Sequence, residues 1–334
     1  MIKLTSHSTW PVLTPLNSAS AGSQSAFGVA LGIAYESERY GFDIGTTPLG
    51  FRYTDINTGG YLKLPLTQRT TLGLSASRRP VTDSLLSYAG ARDDRFSLVD
   101  VEWGGVMASG GRAELGWSDG SFGIYGYGGY SVLTGHDVAR NNKWEGGGGF
   151  YMKLIDSDTQ RFTSGINFTS MGYSENLRYF TFGHGGYFSP QTYFAVTVPL
   201  ALEGRNGRLA YHVRGALGVQ SFREDDAPYF PTNGTLQELA NQTMRLANSA
   251  NLTSQTSAVY AGQSKTGLAY NLVGSLEYQA AQQLYVGGLV GIDNARDYRQ
   301  WYAGMYVRYA LQRQTGQIGF PASPPRSAVG PLPF

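Results

Sequence analysis

Apolar and polar residues alternate with a period of two along most of the chain, as they do on a sheet with two unlike faces. Phe27, Val29, Leu31, Ile33 and Tyr35 alternate with glycine and alanine, and then with Glu36. Tyr40, Phe42 and Ile44 alternate with Gly41, Asp43 and Gly45. The same pattern returns around Phe150–Leu154, Leu209–Val219, Leu268–Leu276 and Leu284–Ile292. It predicts roughly fourteen strands, at about 26–36, 38–47, 55–64, 69–78, 96–106, 111–118, 121–133, 144–154, 160–172, 190–202, 207–222, 266–279, 283–294 and 299–311. So many half-apolar strands exceed what a two-sheet core needs, and the polar faces carry glycine and charge. The fold class expected is all-β, a transmembrane antiparallel β-barrel with lipid outside and a wet lumen inside.

Connector lengths orient such a barrel. Short links at 118–120, 156–159, 204–207 and 280–282 fall at one end, where periplasmic turns belong. Long links at 134–143, 173–189 and 223–265 fall at the other. Within the last of these, Thr235 and Glu238 form a capping box, and Leu236, Leu239, Ala240, Thr243, Met244 and Ala247 follow helical spacing. This predicts a short helix in an extracellular loop, packed on the rim or lying over the pore as a lid.

Composition supports a membrane setting. Only 15% of the 334 residues are charged, against about 25% in a typical soluble domain. No apolar run of about 18 residues offers a transmembrane helix, which leaves a closed barrel as the way to span a bilayer. A net charge of +2 gives no basic stripe for nucleic acid. The sequence has no cysteine, and its four histidines are too scattered for metal ligation, so neither a metal nor a cofactor is expected. The first residues lack a signal peptide, from which the sequence reads as the C-terminal piece of a longer exported protein.

Three long motifs carry a family resemblance: Asp43–Phe51, Arg78–Gly90 and Asn176–Gln191. In this order they resemble the outer-membrane, cellulose-exporting component of bacterial cellulose synthase. The resemblance implies a sixteen-stranded barrel in the bacterial outer membrane that exports cellulose, a β-1,4-glucan. It also implies a periplasmic tetratricopeptide-repeat region earlier in the same protein, and an indirect partnership with the inner-membrane synthase complex. On this reading residues 1–25 lead in from the repeats, 26–311 form the barrel, and 312–334 form a Pro-rich tail that stays disordered or folds into the pore mouth.

A neutral polymer crossing a pore needs weak repeated contacts rather than catalysis. The aromatic 173–191 loop is the first candidate to supply them, with Tyr179, Phe180, Phe182, His184, Tyr187, Phe188, Gln191 and Tyr193 touching glucan at the exit. Arg78, Arg79, Asp83 and Tyr88 are placed at the periplasmic entrance. Asp43, Asp100, Glu102, Glu145, Arg214, Glu277 and Arg308 are placed on the lumen wall, as glucan contacts or as mutual ion pairs. Export of another exopolysaccharide, or diffusion through a porin, is the alternative. A barrel-embedded hydrolase is the competitor from another class. It would need a catalytic pair, and Asp100 with Glu102, or His212 with a serine, makes a poor one, so no enzyme is expected.

Overall fold

The computed structural model describes residues 24–93, 101–295, 298–310, 317–320 and 322. The strands are β1 (Gly32–Glu36), β2 (Tyr40–Thr46), β3 (Ile56–Pro65), β4 (Thr70–Pro80), β5 (Ala91–Asp93), β6 (Val101–Ser118), β7 (Phe122–His136), β8 (Val138–Asp156), β9 (Gln160–Tyr173), β10 (Thr192–Asn206), β11 (Leu209–Glu224), β12 (Ala227–Pro228), β13 (Val259–Tyr260), β14 (Gln263–Ala281), β15 (Leu284–Ala295) and β16 (Tyr298–Tyr309). Two helices, α1 (Leu85–Ala89) and α2 (Gly234–Ser249), lie in the connections. One large antiparallel sheet runs β1-β2-β3-β4-β6-β7-β8-β9-β10-β11-β14-β15-β16, each strand beside its predecessor. β5 pairs with β6 off this path, and β12 pairs with β13 separately.

The sheet is inside out relative to a soluble protein. On one face Phe42, Leu115, Ile166, Val196, Leu217, Leu272 and Val307 all stand exposed, Leu217 at 59% and Val307 at 67%. Soluble monomers rarely show contiguous apolar patches beyond a few hundred Å². Here the apolar face extends over the whole sheet.

The opposite face is polar, and its charges meet one another. Asp43 takes both guanidinium nitrogens of Arg79 at 2.5 Å. Arg112 bonds Glu114 at 2.8 Å, and Lys143 bonds Glu145 at 2.5 Å. Arg161 bridges Asp156 and Glu203 at 3.0 and 2.7 Å. Glu277, 2% exposed, accepts from Arg308 and Tyr306. Such pairs satisfy charges held away from bulk water.

Tyrosine lies against glycine repeatedly on this inner face. Gly41 faces Tyr61 across the β2–β3 ladder, and Gly123 faces Tyr151 across β7–β8. Gly149 faces Tyr125 and Gly147 faces Tyr127 in the same ladder. Gly287 faces Tyr306 and Gly291 faces Tyr302 across β15–β16. A methyl group on Gly123, Gly287 or Gly291 would overlap the opposing ring. Each ring therefore lies flat over the bare backbone of its neighbour, which only glycine permits.

Several sequence expectations need correction. The segments at 96–106 and 111–118 are one strand, β6, whose described part begins at Val101. The strand runs on through 107–110, where the reversal was expected, and Gly104 (φ +113°) and Gly105 (φ +60°) form a bulge in it. Removing that false reversal moves the connection between β4 and β6 to the end that carries the long connectors. The 134–143 connector is absent as a loop: β7 and β8 continue to His136 and from Val138, and Asp137 turns the chain at φ 50°. The cap of α2 is Asn233, whose side chain accepts from the Leu236 N–H at 3.0 Å, so the helix starts before the expected capping box. Asp100 lies outside the described residues.

At the short-turn end, Ile318 and Ala322 of the tail pack on Ala210 and Tyr285, and Arg205 donates to the Ile318 carbonyl at 3.2 Å. The described tail residues thus fold back on the sheet.

The Tyr306–Gly287 contact gives a stability prediction. Gly287→Ala lifts the Tyr306 ring and breaks its 3.0 Å bond to Glu277. It is expected to lower stability by about 1 kcal/mol in urea titrations of the folded protein in lipid, and to cost almost nothing in a Tyr306→Ala background.

Candidate functional site

The connections at the long-link end fold onto the inner face and fill it. The stretch after β4 turns inward, and Ser84 caps α1 by accepting from the Ser87 N–H at 3.1 Å. Leu86 of α1, Trp103 and Val106 of β6, Leu133 of β7, Val138 of β8 and Leu177 and Tyr187 of the 174–191 loop form one buried cluster. Val106 and Leu133 belong to the inner face, so this is a packed core set across one end of the sheet.

The 174–191 loop is tied at many points. The Leu177 carbonyl accepts from Gly185 and Gly186, and the Leu177 N–H donates to Ser189 Oγ at 2.8 Å. Gly183 (φ +95°) and Gly186 (φ +65°) make the reversals, and Gly186 sits so close to Ser84 that a Cβ would lie 2.9 Å from its hydroxyl. Phe188 N–H donates to Asp83 Oδ2 at 3.0 Å. Burial pushes the Asp83 carboxyl up, and that hydrogen bond offsets part of the rise.

The connection between β11 and β14 adds a second layer. Tyr229, Phe230, Ala240, Met244 and Ala258 bury one side of α2, and Phe182 and Tyr260 pack against them. Phe182 also meets Trp103 edge-on at 6.0 Å, which joins the two layers. Tyr179 stacks on Tyr260 at 3.7 Å, and Arg178 bonds Glu224 at 2.5 Å. Glu224 is fully buried and also accepts from Gln263 at 2.6 Å.

His184 is the polar link between the layers. Its carbonyl accepts from Trp103 Nε1 at 3.1 Å, and its Nε2 bonds the Pro228 carbonyl at 2.8 Å. That bond requires the proton on Nε2. Nδ1 is buried with no partner among the described residues. Burial holds the imidazole neutral and lowers its pKa to about 4.

The structure thus sorts the expected site residues. Tyr187 and His184 are buried in the packing, 1% and 0% exposed, and touch no open space in this arrangement. Tyr179, Phe180, Phe182, Phe188, Gln191 and Tyr193 keep part of their surface. Phe188 packs edge-on to Phe222 and Tyr193, and Gln191 holds Ser189 and Asp225.

Arg78, Arg79, Asp83 and Tyr88 are not at the end opposite the 174–191 loop. They share its end, as the Asp83–Phe188 bond requires, so the two groups do not mark opposite mouths. Arg78 and Arg79 also point to opposite faces: Arg78 reaches Asp55 and Ser109, while Arg79 reaches Asp43. Tyr88 packs edge-on to Phe51 at 4.9 Å.

On the wall, Asp43, Glu145, Glu277 and Arg308 are in the ion pairs described above, and Glu102 pairs with Arg52 near the rim. Arg214 stands exposed. Sequence reasoning missed the inner tyrosines Tyr125, Tyr127 and Tyr151. Their signal was the glycine opposite each, visible only once the register is known.

His184 makes the packing sensitive to acid. Its folded pKa lies below its unfolded value, near 6.5, so the stability it lends is complete above that value and is lost as pH falls toward 4. The loss amounts to roughly 3 kcal/mol when complete. Protection of the 174–191 amides, with the intrinsic pH dependence of exchange divided out, is expected to fall between pH 6.5 and 4, and to stay level with pH in His184→Gln.

Known proteins resemble this chain over most of its length. The family described as Cellulose synthase operon protein C C-terminus matches residues 5–312. Cellulose synthase operon protein C of Pseudomonas fluorescens SBW25 is 37% identical over 311 residues, covering 92% of this chain and 23% of that protein. The protein of the same name from Xanthomonas axonopodis pv. citri 306 is 38% identical over 300 residues, covering 89% of this chain and 20% of that one. A solved bacterial polysaccharide outer membrane secretin superposes with a TM-score of 0.46 at 9% identity, over 85% of this chain and 79% of that one, a likeness too slight to add to the assignment. The chain spans about a fifth of the length of the curated relatives it matches. By sequence, the chain belongs to the cellulose synthase operon protein C family and corresponds to its C-terminal region.

Proposed function

We propose that this chain closes into a β-barrel in the bacterial outer membrane and that a β-1,4-glucan leaves the cell through its bore. The observation that carries the reading is the inverted distribution of side chains, with exposed Leu217, Val290 and Met305 outward and paired Asp43, Glu145 and Glu277 inward. An apolar belt of this kind has hydrocarbon as its solvent, and a polar inner wall has water. The family name supports a polysaccharide as cargo.

Closure needs an even number of antiparallel strands, so the barrel takes strands beyond the thirteen of the described path, with sixteen as the count proposed. Residues 26–311 are the barrel, 1–25 the lead-in from a periplasmic repeat region of the longer protein, and 312–334 a tail at the periplasmic mouth. The short turns face the periplasm. Partners are the glucan, the lipid of the outer membrane and, indirectly, the inner-membrane synthase. The chain works as a conduit and performs no bond chemistry.

In this arrangement the outer end is shut by the 81–93 and 174–191 segments, and passage requires them to part. Tyr179, Phe180, Phe182, Phe188, Gln191 and Tyr193 then become glucan contacts, since sugar C–H faces stack on aromatic rings. Ser84→Cys with Gly186→Cys would place two thiols at bonding distance in a chain that has no cysteine of its own. Cells carrying this pair are expected to assemble the protein normally, to secrete almost no glucan when oxidised, and to recover at least tenfold on adding a reductant. Equal secretion in both conditions, with the disulfide verified, would contradict the proposal.

A further inference from the structure

The apolar outer face differs between its two ends. At the short-turn end its last positions are aromatic or aliphatic, as at Tyr40, Leu154, Tyr278 and Tyr309. At the long-link end three arginines, Arg78, Arg140 and Arg223, stand outward, each beside an inward neighbour: Arg79, Asn141 and Phe222. Two of them are matched. Arg78 bonds Asp55 at 2.9 Å and Arg223 bonds Asp225 at 3.3 Å. Arg140 is exposed and bonds none of the described residues.

The ladders set the height of these groups. Arg78 faces Ser109, Ser109 faces Val132 and Val132 faces Asn142, and Asn142 donates to Ser174 Oγ at 3.5 Å. They form one largely polar row around the outside of β4 to β9. One outward position nearer the apolar belt, about 7 Å along the strands, Tyr130 faces Trp144, and both rings are exposed. Exposed Trp and Tyr on a lipid-facing wall mark the level of the bilayer interface. The row of Arg78 and Asn142 therefore lies at headgroup depth, with Arg140 one outward position higher. Asp137 and Glu175 stand exposed beyond it, at the tops of the strands. Below the two rings the outward residues are Gly128 and Gly146, so an acyl chain can lie close against the strands there.

An unmatched guanidinium above an aromatic pair, on the lipid side of one end only, calls for an anionic headgroup. Guanidinium binds phosphate through two parallel N–H donors, and it does so best where water is scarce. Arg78 and Arg140 stand three strands apart, about 14 Å, which is wider than a single phosphodiester headgroup. A sugar headgroup with a phosphate at each end spans that distance, and its hydroxyls find Asn142 and Ser174 between and beside the two cations. We infer that Arg140 and Arg78, with Asn142 and Ser174, form a docking surface for a phosphorylated glycolipid of the outer leaflet. The inference rests on the reading of the chain as an outer-membrane barrel, and adds which stretch of the wall grips that lipid. Its acyl chains run down past Tyr130 and Trp144 over Gly128 and Gly146.

The test is native mass spectrometry of the full-length protein in mild detergent, titrated with bisphosphorylated lipid A. Dephosphorylated lipid A, phosphatidylglycerol and inorganic phosphate are run in parallel. The bisphosphorylated lipid is expected to bind roughly tenfold more tightly than either other lipid. Arg140→Gln and Arg78→Gln are each expected to weaken it about fivefold, and the double variant roughly twentyfold. Arg140→Gln is the cleaner of the two, since it breaks no bond to a described residue and leaves the fold intact. Arg140→Lys keeps the charge and is expected to stay within about threefold of the parent. Arg39→Gln, exposed in the turn between β1 and β2 at the other end, is expected to change nothing. Equal binding of the dephosphorylated lipid, or no effect of either Arg140→Gln or Arg78→Gln, overturns the inference. Phosphatidylglycerol binding as tightly as lipid A, or displacement of lipid A by an equal concentration of inorganic phosphate, overturns it too, as a general anion site. Cell fractionation is done alongside: protein in the outer membrane that fails to bind lipid A sinks the docking surface and leaves the barrel standing, whereas protein absent from that membrane sinks the barrel reading itself.

Discussion

Every backbone and side-chain polar group on this sheet has to find its partner without help from the apolar side. That constraint arranges the rest. The antiparallel ladder satisfies the main chain between neighbouring strands, so the outward positions are free to be wholly apolar. The inward positions then hold most of the charge, much of it in pairs. The pairs Asp43–Arg79, Lys143–Glu145 and Glu277–Arg308 are the result, and they brace adjacent strands as they neutralise one another. The glycines opposite Tyr61, Tyr151 and Tyr306 follow from the same geometry, since a broad ring on a concave wall needs bare backbone to lie on.

The connections at one end depend on that inner wall. Loops of a soluble protein cover its surface, yet here α1 and the 174–191 loop turn inward and build a core with Val106 and Leu133. Their packing resembles the interior of a small domain, held by Trp103, Tyr187 and the neutral His184. A segment bonded at so many points moves as a unit when it moves, which suits a two-position closure better than a gradual one. The wall below it stays open along the Tyr125–Tyr151 stretch.

The sheet was legible in the sequence because period two is a strong signal whenever one face is uniformly apolar, as around Leu209–Val219 and Leu268–Leu276. Connector lengths gave the orientation of most strands for the same reason. β6 was misread because the Gly110-Gly111 stretch after 106 looks like a turn, while the structure carries one strand through it and bulges at Gly104-Gly105. That single error carried Arg78, Arg79, Asp83 and Tyr88 to the wrong end. The aromatic loop was legible as a candidate site, but its residues divide between buried packing and partial exposure only through contacts far apart in sequence, such as Trp103 with His184. Tyr125 and Tyr151 were hidden because register, not composition, gives each its glycine.

The central claim is that successive residues of a strand meet hydrocarbon and water in turn. Single cysteines at Val196, Thr197 and Val198 of β10, each spin-labelled in lipid bilayers, test it directly. Collisions with oxygen, which concentrates in lipid, should dominate at 196 and 198, and collisions with a water-soluble nickel chelate should dominate at 197. Equal access of the chelate to all three positions, or its exclusion from 197 with oxygen favoured throughout, would contradict the account.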